Sequence, residues 1–240
     1  MRFGEKAKQY REKATIQREV ADWCAEWIGD DGQGLSAVEF GAGSGLFTER
    51  LLRKGFGRVL ASDVSERMVE EGRRVLPGAE WRVCDAWEAC GLNEGEFDCL
   101  YSCSLLQWAK EPTDVLRKWG RCLKIGGRGL ATIFVEGSLK EFLEGDPDFG
   151  AVKFRFSDEW VRSFEAAGLS VERWDEMERV LKYESVLKGL HSLHDIGAVE
   201  EGRKSVGALR AFLKERDHAY RGNGYFPVTW KVLRVEVVKG

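Results

Sequence analysis

The fold is decided by one stretch near the start of the chain, Ser36-Ala37-Val38-Glu39-Phe40-Gly41-Ala42-Gly43-Ser44-Gly45. A short apolar run leads into three glycines at alternate positions, and Leu46 then begins a segment whose apolar residues recur with helical spacing. A buried strand that passes through a glycine turn into a helix is typical of the first βαβ unit of an α/β protein. Because glycine permits a positive φ and leaves the main chain bare, this turn predicts a ligand site.

The residues of the turn also indicate which ligand it binds. A dinucleotide-binding fingerprint would need a glycine where Leu46 stands. The carboxylate of Glu39 would repel a pyrophosphate, which prefers a bare helix N-terminus, but would attract an ammonium group. S-adenosylmethionine has an ammonium group at one end, no phosphate, and a ribose and adenine at the other. We therefore predict that it binds Glu39 and the turn residues Gly41, Ala42, Gly43 and Gly45. A glycine turn alone is also found in other α/β proteins.

Two further predicted strands each end in an acidic residue. Residues 57–63 end at Asp63, where ribose hydroxyls bind in nucleotide-binding α/β folds, and residues 79–85 end at Asp85. Because ligands bind at the carboxyl ends of parallel strands, Glu39, Asp63 and Asp85 are expected along one edge of the sheet. Asp63 could instead cap the next helix, although Ser65 could fill that role.

Asp85 and the backbone N–H of Ala86 would receive the adenine ring. Met68 could lie on the face of the adenine, or equally fill the core. The predicted cofactor site is completed by Val64, Ser102 and Gln107.

The rest of the chain predicts a Rossmann-like α/β fold, with a seven-stranded, mostly parallel sheet, helices on both faces and an antiparallel last strand. Further strands are predicted at residues 97–102, 129–135, 169–174 and 230–238, and helices at 4–28, 113–123, from 157 onwards, 185–193 and 205–220. Residues 1–240 would form a single domain. Residues 1–30 would be a helical arm over the cofactor, and residues 176–229 a helical insertion that forms a substrate lid.

Composition narrows the class of protein. The chain has 240 residues, 43% of them hydrophobic, and a formal net charge of −3, which argues against a general nucleic-acid binder. The sequence shows no signal peptide or long apolar stretch, so we predict a cytoplasmic protein that does not bind membranes. The six cysteines form no C-x-x-C pair, so reduced thiols are expected and no metal site is predicted.

The pattern acid-x-G-x-G-x-G resembles motif I of the class I S-adenosylmethionine-dependent methyltransferases. Across nearly the whole chain, the sequence is similar to one family among them, the malonyl-acyl carrier protein O-methyltransferases of biotin synthesis. This resemblance is carried by the arm residues Phe3, Ala7, Tyr10, Ala14 and Gln17, by Leu105-Leu106-Gln107-Trp108, by Val186-Leu187-Lys188-Gly189-Leu190 through Ile196-Gly197-Ala198, and by Tyr225-Phe226-Pro227-Val228-Thr229-Trp230. The chain departs from the family pattern at Ala42, Cys103 and Ile125.

The resemblance implies methylation of the free carboxylate of malonyl-acyl carrier protein, with S-adenosylhomocysteine as the second product. A carboxylate is already ionised at neutral pH, so the reaction needs no general base, and the sequence shows no convincing Ser/His/Asp set. By the same resemblance, Tyr10 and Gln17 would close over the methionine end of the cofactor. Arg155, Arg203 and His194 are candidates to pair with the substrate carboxylate, although any one of them alone is more simply a solvated surface charge or, for His194, a helix-end residue.

Acyl carrier protein is acidic, so its docking surface should be locally basic. The insertion supplies Lys182, Lys188, Arg203, Lys204, Arg210 and Lys214. Two alternatives stay open: a methyltransferase for another small carboxylate or a quinol, and a non-catalytic protein that binds S-adenosylmethionine. A nucleic-acid methyltransferase is disfavoured, because no Asn/Asp-Pro-Pro-aromatic run follows the fourth strand and no cysteine follows a proline.

Overall fold

The computed structural model describes residues 14–29, 32–144, 146, 149, 153–198 and 205–240. Within these residues, seven strands form one sheet in the order β3-β2-β1-β4-β5-β7-β6. The strands are β1 (Ser36–Phe40), β2 (Arg58–Asp63), β3 (Glu80–Val83), β4 (Phe97–Cys103), β5 (Leu123–Phe134), β6 (Leu169–Tyr183) and β7 (Phe226–Lys239). Strand β7 is antiparallel to both β5 and β6, whereas the other pairs are parallel. This topology confirms the predicted fold class.

Eight described α-helices surround the sheet. They are α1 (Thr15–Ala25), α2 (Thr48–Arg53), α3 (Glu66–Val75), α4 (Pro112–Cys122), α5 (Lys140–Leu143), α6 (Ser157–Ala166), α7 (Val186–Asp195) and α8 (Val206–Tyr220). Short 3₁₀ helices span Ala86–Gly91, Leu106–Trp108 and Arg221–Asn223. No described helix is long and apolar enough to cross a membrane.

Both faces of the sheet are buried, which explains the continuous apolar runs of its central strands. On β1, Val38 and Phe40 belong to the core on one face, where Phe40 stacks on Trp119 of α4 with ring centroids 4.7 Å apart. Ala37 belongs to the core on the other face, together with Cys24 of α1. Alternate residues of a strand point to opposite faces, so one short strand serves two cores.

Strand β1 pairs in parallel with β2 on one side and with β4 on the other. Strands β2 and β3 therefore extend the sheet on one side of β1, and β4 and the later strands extend it on the other side. Ligands of open α/β sheets bind in the crevice outside the carboxyl ends of the strands at such a switch point. This places the expected site above the turn that follows Phe40.

The last two strands are much longer than predicted. They pair continuously from Leu169 opposite Lys239 to Tyr183 opposite Phe226, apart from one irregularity between Val171 and Arg173. Residues 175–183 are mainly charged and exposed, as suits an edge strand, and so lack the apolar alternation that the prediction required. The prediction of a helical insertion over 176–229 is therefore wrong at both ends, although α7 and α8 lie where expected and are capped by Ser185 and Ser205.

Smaller differences have local causes. Helix α4 begins at Pro112, one residue before the predicted start, because the missing N–H of proline costs nothing at the first helical position. Strand β5 begins at Leu123 and passes through Gly126, whose φ of 72° accommodates a register shift against β4. Cys84 is disulfide-bonded, so the expectation of six reduced thiols is wrong there.

Helix α1 is held on the sheet by Arg234 of β7. The Arg234 guanidinium lies 4.1 Å from the ring centroid of Trp23 and 3.9 Å from that of Trp27. It also donates to the Trp23 carbonyl oxygen at 2.5 Å and lies 3.4 Å from the carboxylates of Glu26 and Asp175. Burial lowers the pKa of Arg234, and the two carboxylates oppose that shift. The contacts fix the helix that carries Gln17.

Trp81 of β3 supports the glycine turn from behind. Its indole N–H donates to the carbonyl oxygen of Leu76 at 3.1 Å, and its ring lies against Gly72 of α3 and close to Gly45. A Cβ atom on Gly72 would lie 2.2–2.5 Å from three atoms of the Trp81 ring. Real Cβ contacts do not reach such distances, so α3 can approach β3 this closely only with glycine at position 72.

Gly72→Ala is therefore expected to destabilise the protein. The introduced methyl group must displace the Trp81 ring, and overpacking of this kind costs about 1–3 kcal/mol of the free energy of unfolding. Gly207→Ala is the matched control, because Gly207 is an exposed helical glycine with no atom within 4 Å of its Cβ position. That variant should gain up to about 1 kcal/mol. Urea denaturation of both variants tests the difference, and a Gly72→Ala protein as stable as Gly207→Ala would contradict it.

Candidate functional site

A cavity of about 580 Å³ opens at the carboxyl edge of the sheet. It runs from the ends of β2 and β3, across the turn after β1 and the segment after β4, to the ends of β5 and β7. Its size is in the range of small-molecule and cofactor sites. Nine of the predicted site residues line it: Gln17, Gly41, Gly43, Asp63, Val64, Met68, Asp85, Ala86 and Gln107.

The glycine turn and β2 are tied together by Asp63. One carboxylate oxygen accepts from the backbone N–H of Gly43 at 2.9 Å and the other accepts from the N–H of Ser65 at 2.9 Å. Burial raises the pKa of Asp63, and these two hydrogen bonds oppose the shift. The cap of α3 is Ser65, whose hydroxyl oxygen accepts from the N–H of Met68 at 3.4 Å. Asp63 therefore does not cap the helix, and it lies at the cavity.

Glu39 lies behind the glycine turn and does not line the cavity. It is 1% exposed, and one of its carboxyl oxygens accepts from the Thr48 hydroxyl at 2.6 Å. Burial raises the pKa of Glu39 to about 8; the bond from Thr48 opposes this shift and the charge of Asp63 adds to it. The three acidic residues thus occupy one edge of the sheet at two depths, with Asp63 and Asp85 at the cavity and Glu39 beneath it.

Asp85 lies just beyond β3, which ends at Val83 rather than at the predicted acidic residue. Its carboxylate accepts from the N–H of Trp87 at 2.9 Å and begins the 3₁₀ helix Ala86–Gly91. The carbonyl oxygen of Ala86 accepts from the indole N–H of Trp119 at 2.7 Å, which fixes the backbone at this end of the cavity. Met68 is 2% exposed and Val64 is 68% exposed, so the two bring a buried and an exposed apolar side chain to the cavity.

Three other residues predicted to bind the cofactor lie behind the cavity lining and shape the turn. The N–H of Ala42 donates to the carbonyl oxygen of Ser62 at 2.8 Å, and the Ser102 hydroxyl donates to that of Phe40 at 3.2 Å. Gly45, with a φ of 91°, packs against Leu76 and Trp81. Their direct contact with a ligand stays a prediction.

Only two of the four candidate catalytic residues, Arg155 and His194, belong to the described residues. A side-chain nitrogen of Arg155 donates to the carbonyl oxygen of Lys110 at 3.0 Å, and Arg155 does not line the cavity. His194 lies in the last turn of α7, also outside the lining. Tyr10 and Arg203 lie outside the described residues.

The half of the cavity next to β5 and β7 is mainly apolar. Its lining comprises Phe134, Phe154, Ile196, Ala198 and Trp230. Sequence reasoning assigned none of them to the site. Both Phe134 and Trp230 could have been found. The predicted strand 129–135 ends near Phe134 at the edge of the acidic residues, and the predicted antiparallel strand 230–238 begins at Trp230 at that same edge.

The segment after β4 lies between the two halves. Cys103 lines the cavity, and its sulfur accepts from the Thr132 hydroxyl at 3.2 Å. Burial raises the pKa of Cys103 to about 11, so its thiol is neutral at physiological pH. The amide nitrogen of Gln107 donates to the Ser104 carbonyl oxygen at 2.7 Å, which leaves its buried amide oxygen without a partner among the described residues. The same is true of the amide oxygen of Gln17.

These features fit S-adenosylmethionine. The cavity offers a bare glycine turn, two carboxylates at the β2 and β3 end, and two buried amide oxygens that lack a donor. Polar groups buried in this way are normally paired, so the amide oxygens indicate a ligand with N–H or O–H groups. Asp63 and Asp85 are the only charged side chains among the described residues of the lining, and no group of described His, Cys, Asp and Glu residues could hold a metal ion.

A second cavity of about 460 Å³ lies at the amino edge of the sheet. The described charged side chains that line it are already paired with one another. Lys124 contacts Asp98 at 2.7 Å, and Glu236 contacts Arg173 at 2.6 Å and Arg128 at 3.4 Å. This cavity therefore offers no free charge to a ligand.

Comparison with known proteins agrees with the geometry. Residues 38–131 match a family model described as a methyltransferase domain. The chain is 30% identical over 223 residues to the malonyl-[acyl-carrier protein] O-methyltransferase of Erwinia pyrifoliae, covering 91% of this chain and 84% of that protein. It is 28% identical over 238 residues to the protein of the same name from Salmonella typhimurium, covering 96% and 92%.

A solved structure with a similar fold is the geranyl diphosphate C-methyltransferase of Streptomyces coelicolor, in complex with Mg²⁺, geranyl diphosphate and S-adenosyl-L-homocysteine. The TM-score is 0.60 at 15% identity, over 92% of this chain and 77% of that one. The fold, the glycine turn with its acidic residues, and the sequence relatives agree with one another. The chain belongs to the class I S-adenosylmethionine-dependent methyltransferases.

Proposed function

We propose that this protein transfers a methyl group from S-adenosylmethionine to the free carboxylate of a malonyl group on acyl carrier protein. The product would be a methyl ester that enters biotin synthesis in the cytoplasm. The sequence relatives named malonyl-[acyl-carrier protein] O-methyltransferase support this substrate. The observation that carries the proposal is the half of the cavity next to β5 and β7 (the acceptor half), where the described lining offers apolar side chains and no general base.

An ionised carboxylate needs no base to become a nucleophile. When bound, S-adenosylmethionine supplies a methyl group on a positively charged sulfur. A carboxylate oxygen forms the new bond to the methyl carbon as the carbon–sulfur bond breaks, and the two opposite charges disappear without any proton transfer. The protein must therefore align the groups and exclude water, tasks for which Phe134, Phe154 and Ile196 are suited.

The residues that would hold the cofactor are distributed along the cavity. Gly41 and Gly43 would let its methionine end approach the main chain, and Gln17 and Gln107 would receive its polar groups there. Asp63 would accept from the ribose hydroxyls. Asp85 and the N–H of Ala86 would contact the adenine ring, with Val64 and Met68 on its faces. Tyr10 would close over the methionine end.

The substrate assignment predicts the product of a direct assay. Malonyl-acyl carrier protein incubated with the protein and S-adenosylmethionine should gain the mass of one methyl group in place of a proton. Acetyl-acyl carrier protein, which lacks the free carboxylate, should remain unchanged under the same conditions. Intact-protein mass spectrometry measures both. Methylation of both carriers, or of neither, would contradict the proposed acceptor. Methylation of neither carrier would instead support the alternatives, a methyltransferase for another small carboxylate or quinol, or a non-catalytic cofactor-binding protein.

Glu39 would attract the ammonium group of the cofactor from beneath the glycine turn. Because the pKa of Glu39 is raised to about 8, the free protein keeps this carboxyl largely neutral at pH 6. Binding that requires the ionised form must release a proton. The affinity should therefore rise with pH by at most about tenfold per pH unit below pH 8.

Glu39→Gln tests this coupling, because glutamine keeps an oxygen to accept from Thr48 but cannot ionise. Calorimetry with S-adenosylhomocysteine, which has the same ammonium group, should show an affinity that rises from pH 6 to pH 7.5 in the wild type and stays flat in Glu39→Gln. Stability should show the opposite trend. Ionising a buried carboxyl is costly, so the wild type should lose stability relative to the variant between pH about 4.5 and about 8. Parallel pH profiles for the two proteins would rule out this role of Glu39.

Docking of the acidic carrier protein is proposed for the basic surface of the insertion. Arg210 and Lys214 are exposed on α8 and lie one helical turn apart, and Lys188 is exposed on α7. Lys182 lies 4.5 Å from the centroid of the Tyr225 ring. Arg203 and Lys204, predicted to belong to this surface, lie outside the described residues. Arg203 also remains, with Arg155 and His194, a proposed partner of the substrate carboxylate.

Charge reversal on α8 should weaken binding of the carrier without affecting the chemistry. Arg210→Glu combined with Lys214→Glu is expected to raise the apparent KM for malonyl-acyl carrier protein roughly tenfold. Activity on a small malonyl thioester should stay within about twofold. The matched control is Arg117→Glu combined with Arg121→Glu, an exposed pair with the same spacing on α4. Equal effects of the two double variants, or equal effects on both substrates, would remove the docking surface from α8.

A further inference from the structure

Trp230 brings a buried hydrogen-bond donor to the cavity. The residue is 3% exposed, it lines the cavity, and its indole N–H has no partner among the described residues. A buried donor is almost always paired in a folded protein. The lining has two other buried polar groups without partners, the amide oxygens of Gln17 and Gln107, and neither accepts a hydrogen bond from the indole N–H. A ligand group that accepts a hydrogen bond would satisfy the indole.

The position of Trp230 separates it from the cofactor residues. Asp63 ends β2 and Asp85 lies just beyond β3, whereas β7 lies on the far side of β1, β4 and β5 in the sheet order. Four strand spacings lie between β2 and β7, which corresponds to about 19 Å across the sheet. Phe134, the last residue of β5, pairs with Val232, so Trp230 lies two residues beyond the end of β5. The rings of Phe134 and Trp230 pack with centroids 4.7 Å apart.

No lysine, arginine or histidine is found among the described residues that line the cavity. An anion that entered the acceptor half would thus meet apolar side chains and neutral donors. This suits a reaction in which the negative charge of the acceptor disappears. A full positive charge would stabilise the ionised acceptor more than the transition state and so slow the attack, whereas a neutral donor orients the anion with a smaller penalty.

We propose that the indole N–H of Trp230 donates to one carboxylate oxygen of the methyl acceptor and leaves the other oxygen free to attack. This inference rests on the proposed function and names the residue that positions its substrate. It differs from the expectation that Arg155, Arg203 or His194 pairs with the carboxylate, because the positioning group is neutral and belongs to β7.

Trp230→Phe removes the donor and keeps an aromatic ring against Phe134. The lost hydrogen bond is strongest to the fully ionised acceptor and weaker in the transition state. The KM for malonyl-acyl carrier protein should therefore rise roughly 10- to 100-fold, while kcat changes by less than about threefold. The Kd of S-adenosylhomocysteine should stay within about twofold of the wild type. A Trp230→Phe enzyme with an unchanged KM would overturn the proposal.

Trp160→Phe is the matched control. Trp160 is 1% exposed, and its indole N–H also lacks a partner among the described residues, but it is a core residue of α6 and does not line the cavity. This variant should keep the wild-type KM and kcat. A KM increase as large as that of Trp230→Phe would show that loss of any buried indole N–H perturbs the enzyme, and would overturn the specific role of Trp230.

A second measurement does not depend on turnover. The protein has nine tryptophans, and the indole signal absent from the ¹⁵N spectrum of Trp230→Phe assigns that residue. Added to the protein saturated with S-adenosylhomocysteine, a small malonyl thioester should shift this signal downfield, and an acetyl thioester should not. If the wild type methylates no malonyl carrier, the proposed function fails and the spectrum alone decides the inference. The absence of a malonyl-specific shift overturns it in either case.

Discussion

The site depends on one carboxylate that holds two turns in register. Asp63 accepts from Gly43 in the turn after β1 and from Ser65 in the turn after β2, both at 2.9 Å. These bonds join neighbouring strand ends at the edge where the sheet order reverses. They hold the glycine turn and the start of α3 together as one wall of the cavity. Hydrogen bonds to a charged acceptor are stronger than neutral ones, which makes this a robust link. Gly43 can take part because its φ of 56° costs glycine nothing.

The described residues divide the cavity into two electrostatic halves. Carboxylates are confined to the ends of β2 and β3, with Glu39 beneath the adjoining turn, whereas the β5 and β7 half is apolar apart from neutral donors and acceptors. This division suits the meeting of a cation and an anion. In the proposed reaction, the carboxylates would attract the positively charged methyl donor, and the apolar half would hold no fixed charge that competes for the acceptor's charge. An unpaired charge buried in the half next to β5 and β7 would be costly, and the described lining of that half contains no charged side chain.

The sequence alone was sufficient where chain-local rules determine the structure. Strand ends marked by Asp63 and the glycine turn follow from periodicity and backbone sterics, and these residues lie where predicted. The burial of each acidic residue could not be predicted. In the sequence, Glu39 and Asp63 are both acidic residues at strand ends, and only the packing of the folded chain buries Glu39 against Thr48. The long ribbon of β6 and β7 was also missed. Its charged residues carry no apolar alternation, and its length depends on pairing between segments far apart in the chain.

Strand β7 links the parts of the site that the sequence presents as unrelated. Trp230 and Arg234 are four residues apart on one strand, so their side chains share a face of the sheet. Arg234 holds α1 through Trp23 and Trp27, and α1 brings Gln17 to the cavity, while Trp230 lines the acceptor half. Movement of β7 relative to β5 would therefore displace Gln17 and Trp230 at the same time. The seven consecutive residue pairs between these strands, from Arg128 opposite Val238 to Phe134 opposite Val232, resist such movement. The antiparallel last strand thus supports two parts of the cavity lining, Gln17 through α1 and Trp230 directly.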